Sequence, residues 1–186
     1  MDTAEAVALI RDAVGQGVDV GSWADLGAGT GTFTQALHEL LPAGSRIYAI
    51  DRDAAAIARV KHWASEHAPD VVARVADFTK PTDIRGLSLP SLDGMLLANS
   101  LHFVRDATAV LARLVNLVRP GGRVVLVEYD RRGASRWVPY PIPIAALPSL
   151  ASQTGLAQPS VVATRPSEYQ GILYVALARK PGTSQL

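Results

Sequence analysis

Glycines at alternate positions form the first segment of this chain whose residue types suggest chemistry. The run Asp25-Leu26-Gly27-Ala28-Gly29-Thr30-Gly31 links an apolar stretch to an amphipathic one. Glycine at these positions allows a tight turn and lets a ligand approach the backbone closely. A dinucleotide-binding loop would have its third glycine at position 32, where this chain has Thr32. The charge of Asp25 disfavours a pyrophosphate and favours a ligand that carries an ammonium group.

Three further polar residues, Asp51, Asp77 and Asn99, stand where apolar stretches end. A carboxylate at the position of Asp51 can accept both hydroxyl groups of a ribose, as acids do at this place in nucleotide-binding sheets. Asp77 can accept from an exocyclic amine while the ring of Phe78 supports a purine. Because the carboxyl ends of parallel strands meet at one edge of a sheet, we expect these groups to line one cleft.

Short apolar stretches alternate with amphipathic ones along the chain, which predicts an α/β fold. Strands are predicted over Ser22–Gly27, Arg46–Ile50, Val71–Ala76, Leu92–Ala98 and Arg123–Val127. Helices are predicted over Thr3–Val14, Thr32–Leu41, Asp53–His67 and an apolar stripe that extends from Ala107 to Val118. Strands this apolar are typical of a parallel sheet with helices on both faces, so we predict a doubly wound sheet.

The last part of the chain predicts an antiparallel pair of strands. Pro159–Arg165 and Gln170–Arg179 are strand-like, and the link between them is too short for a crossover helix. With this hairpin at one edge, the mostly parallel sheet has seven strands. We expect residues 1–180 to form a single domain and residues 181–186 a flexible tail.

These features together resemble the class I S-adenosylmethionine-dependent methyltransferases. The resemblance covers residues 22 to 127 and rests on the glycine run, Asp51, Asp77-Phe78, Leu92–His102 and the turn Arg119-Pro120-Gly121-Gly122. It implies a Rossmann-like fold and S-adenosylmethionine as the cofactor. It also implies transfer of the cofactor's methyl group to an acceptor, which leaves S-adenosylhomocysteine.

The resemblance also implies a set of cofactor-binding residues. The three glycines of the run would cradle the methionine part of the cofactor, with Asp25 and Asn99 near its amino group. The full set expected at the cofactor is Asp25, Gly27, Ala28, Gly29, Thr30, Gly31, Asp51, Arg52, Ala76, Asp77, Phe78 and Asn99.

The acceptor is expected to be a small molecule, methylated at an oxygen or a nitrogen and bound by the loops after the fourth and fifth strands. His102 either serves as a general base, since imidazole titrates near neutral pH, or shapes the pocket wall. Arginines after the fifth strand either hold an acidic acceptor or belong to a solvated loop. The residues expected to contact the acceptor are Phe103, Tyr129, Arg132, Trp137 and Tyr140.

Composition excludes several other kinds of chemistry. The chain has no cysteine, which rules out disulfides and a thiolate nucleophile, and its net charge of +1 gives no reason to expect a nucleic-acid partner. No histidine pair or carboxylate cluster has metal-ligand spacing, so no metal is expected. The sequence shows neither an apolar run of membrane-spanning length nor a secretory signal, so we expect a cytoplasmic protein without a membrane partner.

Two other classes of protein use the same kind of sheet. A binding or regulatory protein would hold S-adenosylmethionine without turning it over, and a nucleotide-dependent oxidoreductase would bind NAD instead. Release of S-adenosylhomocysteine separates the first class from an enzyme. A comparison of the affinities for S-adenosylmethionine and NAD distinguishes the oxidoreductase from a methyltransferase.

Overall fold

A computed structural model describes residues 1–15, 18–131, 133–167 and 171–182 of the chain. The helices are α1 (Thr3–Val14), α2 (Thr32–Leu40), α3 (Ala54–His67), α4 (Pro81–Gly86), α5 (Ala107–Val115) and α6 (Leu147–Thr154). The strands are β1 (Ser22–Leu26), β2 (Arg46–Asp51), β3 (Val71–Val75), β4 (Leu92–Ala98), β5 (Val118–Asp130), β6 (Ser160–Pro166) and β7 (Ile172–Arg179). Two 3₁₀ turns, Leu101–Phe103 and Ile144–Ala146, complete the regular structure.

The strands form one seven-stranded sheet in the order β3-β2-β1-β4-β5-β7-β6. Strands β1 to β5 pair in parallel, and β7 runs antiparallel to both β5 and β6. The predicted doubly wound α/β fold with an antiparallel edge hairpin is therefore confirmed. The strand order reverses between β1 and β4, and such a reversal opens a crevice at the carboxyl ends of the two strands.

Each face of the sheet is covered by its own apolar core. On one face, Ile10 of α1, Leu37 of α2 and Ile57 of α3 are buried in the same cluster. On the other face, Leu111 of α5 and Leu150 of α6 belong to a second cluster. Parallel strands need helices on both faces because they carry apolar side chains on both sides. The strand ends are thus where polar side chains can meet solvent and ligands.

Short polar side chains begin three of these helices. Asp2 accepts from the backbone N–H of Glu5 at the start of α1, and Asp106 accepts from Ala109 N–H at the start of α5. Asp53, the first residue of the range predicted for this helix, caps α3 in the same way. These side chains satisfy N–H groups that have no partner within the helix.

Two boundaries differ from the prediction. Helix α5 ends at Val115, and Val118 instead begins β5, where it pairs with Leu92. The helical spacing of Val118 is misleading because a buried strand position selects the same apolar residue type. Within the Arg119–Gly122 turn, Gly121 has φ of +78°, and strand β5 continues past it. The pairing of β4 with β5 shifts register in this region, between Leu92 and Gly94 of β4.

A short helix, α4, lies between β3 and β4, where the sequence analysis predicts no helix. Proline occupies its first turn, where the missing N–H costs no hydrogen bond. Gln170, predicted to begin the last strand, and residues 183–186 of the predicted tail lie outside the described residues. Among the described helices, none has both the length and the apolar character that a membrane crossing requires.

Gly94 of β4 provides a test of the packing between β4 and β1. A Cβ atom at this position would lie 2.5 Å from Cη2 of the buried Trp23 ring. We expect Gly94→Ala to lower the free energy of unfolding by about 1–3 kcal/mol, because the buried indole or the backbone must shift to accommodate the added methyl group. Gly86→Ala is the control, since a Cβ there meets no atom within 4 Å. Urea unfolding measures both, and equal stability of the two variants would contradict this account.

Candidate functional site

A cleft of about 480 Å³ opens at the carboxyl ends of β1, β2, β3 and β4. This volume is within the range typical of small-molecule and cofactor sites. The residues that line it are Gly27, Gly29, Thr30, Asp51, Arg52, Asp53, Ala56, Ala76, Asp77, Phe78, Thr79, Asn99, Ser100, Phe103 and Val104. The structure thus brings polar residues from four successive strand ends into one site.

The glycine loop between β1 and α2 is held in place by the end of β2. The N–H of Gly27 donates to the carbonyl of Ile50 at 2.8 Å, and the N–H of Gly29 donates to Asp51 Oδ2 at 2.8 Å. Gly27 has φ of +85°, and a Cβ there would clash with Cβ of Ser100. A Cβ at Gly29 would meet no atom within 4 Å. The loop therefore leaves open space above its backbone.

Asp51 accepts two backbone hydrogen bonds and keeps capacity for a ligand. Besides the bond from Gly29, its Oδ1 accepts from the N–H of Asp53 at 2.8 Å. An ionised carboxylate has about four lone-pair sites, so both oxygens can accept further hydrogen bonds. The backbone bonds fix the orientation of a carboxylate that lines the cleft.

Asp77 is held in a turn at the end of β3. Its Oδ1 accepts from the backbone N–H of Thr79 at 2.9 Å and from its hydroxyl at 2.6 Å. Burial opposes ionisation, but the hydrogen bonds from Thr79 and the charges of Lys80 and Arg52 outweigh it. The pKa of Asp77 therefore lies below its ordinary value. A fixed negative charge stands beside the ring of Phe78 on the cleft wall.

Asp25 and Asn99 carry buried oxygen atoms that have no hydrogen-bond partner among the described residues. Asp25 is 1% exposed; its Oδ2 accepts from the hydroxyl of Thr34 at 2.6 Å, whereas its Oδ1 has no donor. Oδ1 of Asn99 is likewise without a donor, and this residue has φ of +52°. Buried acceptors are rarely left unpaired. Two such atoms beside the glycine loop fit a ligand with several N–H donors.

Burial raises the pKa of Asp25 to about 7. The hydrogen bond from Thr34 offsets this effect only in part, and the negative charge of Asp51 adds to the increase. A cationic ligand near Asp25 would favour the ionised form by direct attraction.

His102 and Glu128 form a buried pair at the ends of β4 and β5. Nδ1 of His102 lies 2.6 Å from Glu128 Oε2, and the side chains are 2% and 0% exposed. Glu128 Oε1 accepts from the backbone N–H groups of Leu101 and His102. With a carboxylate as its partner, Nδ1 carries the hydrogen in the neutral ring, and Nε2 has the free lone pair. Nε2 is thus the ring nitrogen that can accept a proton.

Most of the residues predicted to bind a cofactor line the cleft, and three do not. Asp25 is buried in β1, Ala28 is 8% exposed, and Gly31 is the N-cap of α2, with φ of +96°. The residues that do line it are Gly27, Gly29, Thr30, Asp51, Arg52, Ala76, Asp77, Phe78 and Asn99. Their roles toward the cofactor stay predictions.

The residues predicted to contact an acceptor are more dispersed. Phe103 lines the cleft and is 52% exposed, and its ring centroid lies 4.3 Å from that of His102. Tyr129 contacts the His102 ring from β5, at 5.8 Å between centroids. Tyr140 donates from its backbone N–H to the His102 carbonyl, and Trp137 is exposed on the same loop. Arg132 lies outside the described residues.

Several residues of the site were not predicted. Asp53, Ala56, Thr79, Ser100 and Val104 line the cleft, each next to or within a few residues of a predicted position. The pairing of His102 with Glu128 was also missed. A signal existed in the sequence, because Glu128 is a charged residue that directly follows an apolar strand core.

The sheet order and the glycine loop at its crevice are those of the class I S-adenosylmethionine-dependent methyltransferases, and S-adenosylmethionine is the cofactor of this class. The chain belongs to the methyltransferase domain family, whose model matches residues 24–124, more than half of its length. The resemblance noted in the sequence is therefore confirmed.

Relatives and similar structures include larger enzymes. Fusarielin synthase FSL1 of Gibberella zeae is 30% identical over 124 residues, which are 64% of this chain and 5% of that protein. The chain spans only 2% to 5% of the length of the curated relatives it matches. These relatives are all named as synthases, four of them as reducing or highly reducing polyketide synthases.

Two solved structures show the same fold. The CurJ carbon methyltransferase has a TM-score of 0.71 and 22% identity, over 88% of this chain and 49% of that one. The 1,6-didemethyltoxoflavin-N1-methyltransferase of Burkholderia thailandensis has a TM-score of 0.73 and 22% identity, over 96% of this chain and 78% of that one. That second structure contains 1,6-didemethyltoxoflavin and S-adenosylhomocysteine.

The ionisation of Asp25 predicts how stability depends on pH. Folded Asp25 keeps its proton up to about pH 7, whereas the unfolded chain loses it near the ordinary value of 3.8. Over this window the unfolded state binds fewer protons, so Asp25 makes the free energy of unfolding fall as pH rises. Asp25→Asn removes this effect, and the variant should gain stability relative to the unaltered protein between about pH 4 and about pH 7, with no further gain above.

Urea unfolding without cofactor, repeated across this pH window, measures the difference. Asp12→Asn is the matched control, because Asp12 is exposed on α1. A stability difference for Asp25→Asn that does not change with pH would contradict the assignment.

Proposed function

We propose that this protein transfers a methyl group from S-adenosylmethionine to a small-molecule acceptor that must first lose a proton, and that His102 takes this proton. The observation that carries the proposal is the buried pair of His102 with Glu128 beside the cleft. Glu128 holds the ring in one orientation and stabilises the imidazolium that forms when Nε2 is protonated. A histidine that only shaped the pocket wall would not need a buried carboxylate as its hydrogen-bond partner.

An activated carbon is our first candidate for the acceptor atom. The named polyketide synthase relatives and the likeness to a carbon methyltransferase support it. A C–H bond between two carbonyl groups is acidic enough for an imidazole to remove its proton, and carbon is a poor nucleophile until this happens. Oxygen or nitrogen, expected from the sequence, is the second candidate, favoured by the likeness to the toxoflavin N1-methyltransferase.

The cofactor is proposed to lie along the strand ends in the cleft. Asp51 accepts the ribose hydroxyls, and Asp77 with Phe78 holds the adenine. The open backbone at Gly29 receives the methionine part, whose ammonium group donates toward the unpaired oxygens of Asp25 and Asn99. When bound, S-adenosylmethionine supplies an electrophilic methyl group on a sulfonium, so the chain's own task is to align and deprotonate the acceptor.

Phe103 and the loop after β5 are proposed to position the acceptor. Phe103 lies on the cleft wall in contact with His102, and the backbone of Tyr140 is bonded to the His102 carbonyl. An acceptor held against Phe103 therefore lies next to the base. Both the aromatic face and the base are carried by the same 3₁₀ turn.

Replacing Asp51 tests the ribose contact. Asp51→Ala is expected to weaken binding of S-adenosylhomocysteine by about 1–3 kcal/mol, because two hydroxyl donors lose their acceptor and the Gly29 N–H loses the bond that holds the glycine loop. Calorimetry measures the affinity, and NAD serves as a comparison ligand that should bind far more weakly to the unaltered protein. Asp12→Ala is the control on the surface of α1. An affinity that is unchanged in Asp51→Ala removes this assignment.

Replacing His102 tests the base. His102→Ala should lower kcat by about 10²- to 10⁴-fold while the affinity for S-adenosylhomocysteine stays within a factor of about two, because the imidazole does not line the cofactor cleft. His62→Ala, an exposed histidine on α3, should leave turnover unchanged. Glu128→Gln removes the charge and leaves one acceptor oxygen for three N–H donors, those of the Leu101 backbone, the His102 backbone and Nδ1, so its turnover should fall as well.

Product analysis distinguishes the acceptor classes and the non-catalytic alternative. A methyl-labelled cofactor with acceptors that offer an activated carbon, a phenol or a ring nitrogen shows by NMR which atom receives the methyl group. We expect C-methylation to be lost most completely in His102→Ala. Tight cofactor binding without release of S-adenosylhomocysteine from any acceptor would instead favour a binding protein.

A further inference from the structure

A second cavity, of about 200 Å³, lies at the opposite edge of the sheet. We call it the basal pocket; the residues that line it are Val18, Asp19, Trp23, Asp93, Arg119, Gly121, Arg123 and Arg179. Val18 and Asp19 precede β1; the others lie near the starts of β1, β4 and β5, except Arg179, which is the last residue of β7. None of them lines the cofactor cleft.

The sheet register places two arginines directly opposite each other at this pocket. Arg123 of β5 pairs with Arg179 of β7 across the antiparallel ladder. Like charges in directly opposed positions destabilise a sheet. Both arginines lie on paired strands, so a change in loop conformation does not separate their backbone positions.

Little in the described chain compensates these two charges. Arg119 is matched by Asp93, whose Oδ1 lies 2.5 Å from Arg119 Nε and whose Oδ2 accepts from Ser22 N–H. In the described ranges, neither Arg123 nor Arg179 forms an ion pair. Arg179 donates from Nη1 to the carbonyl of Gly121 at 3.1 Å, and Asp19 is the remaining acid on the wall.

Arg123 is the more constrained of the two arginines. Its guanidinium packs against Gly15 at the end of α1, where a Cβ would lie 2.5 Å from Nη1. This Nη1 atom is buried and has no hydrogen-bond partner among the residues that the structure describes. Burial, with the charge of Arg179 as a second cause, lowers the pKa of Arg123. A partly buried cation beside a second cation is unfavourable unless an anion is present.

We propose that the basal pocket binds a small oxyanion, with phosphate as the representative chemistry, between Arg123 and Arg179. Guanidinium groups present several N–H donors in a plane that matches the oxygens of a phosphate. The cavity has room for a phosphate group together with part of the molecule that carries it. The opposed arginines, unfavourable without a ligand, then become a preorganised pair of donors on two rigid strands.

The site is tested with inorganic phosphate against sodium chloride at equal ionic strength. Phosphate should raise the Tm of the unaltered protein saturably, because a ligand that binds only the folded state stabilises it. Arg179→Gln, at an exposed strand end, should weaken phosphate binding by about ten- to hundredfold and raise the Tm in the absence of phosphate. Arg123→Gln is the second variant, because it removes the opposite donor.

Two control variants show whether the phosphate response arises at the basal pocket. Arg59→Gln changes an exposed arginine on α3, and Arg52→Gln changes the arginine of the cofactor cleft; both should keep the phosphate response. A phosphomonoester such as glycerol phosphate, compared with free phosphate, shows whether the anion is part of a larger molecule. The proposal is overturned if Arg179→Gln and Arg123→Gln retain the phosphate affinity of the unaltered protein, or if Arg52→Gln alone loses it.

Discussion

The hydrogen bond from the Gly29 N–H to Asp51 Oδ2 is the contact on which the cofactor cleft depends. Together with the bond from Gly27 to the Ile50 carbonyl, it fastens the loop after β1 to the end of β2. Parallel strands bring these two ends to the same edge, and the order reversal beside β1 leaves space next to them. If the loop after β1 followed another path, its backbone would occupy the cleft instead of lining it.

Glu128 contributes both to the fold and to the proposed chemistry. One oxygen holds the backbone of the turn after β4, and the other holds the imidazole of His102. Burial of a carboxylate is costly unless hydrogen bonds compensate it, and three donors do so here. The same carboxylate therefore fixes the position of the turn and the orientation of the proton-accepting ring, so the two roles are separable only by variants that keep the hydrogen bond.

The register between β5 and β7 determines which side chains face each other at both ends of this ladder. β5 and β7 place Glu128 opposite Tyr174 near the site, and Arg123 opposite Arg179 at the far end of the same ladder. The hydroxyl of Tyr174 donates to the carbonyl of Ile142, which ties the loop after β5 to the sheet. Burial, with the charges of Glu128 and Asp130 as further causes, raises the pKa of Tyr174, so the hydroxyl stays a donor.

The alternation of apolar and amphipathic segments was sufficient to predict the doubly wound sheet, and the acids after its strands were sufficient to predict one shared cleft. Local patterns carry this information because burial selects residue types at each strand and helix position. They misassigned Val118, which suits a helix stripe and a buried strand equally well. Only the tertiary structure decided that Glu128 meets His102 and that Arg123 faces Arg179. Both contacts arise from strand register between segments distant in sequence, and no local spacing encodes which residues such a register brings together.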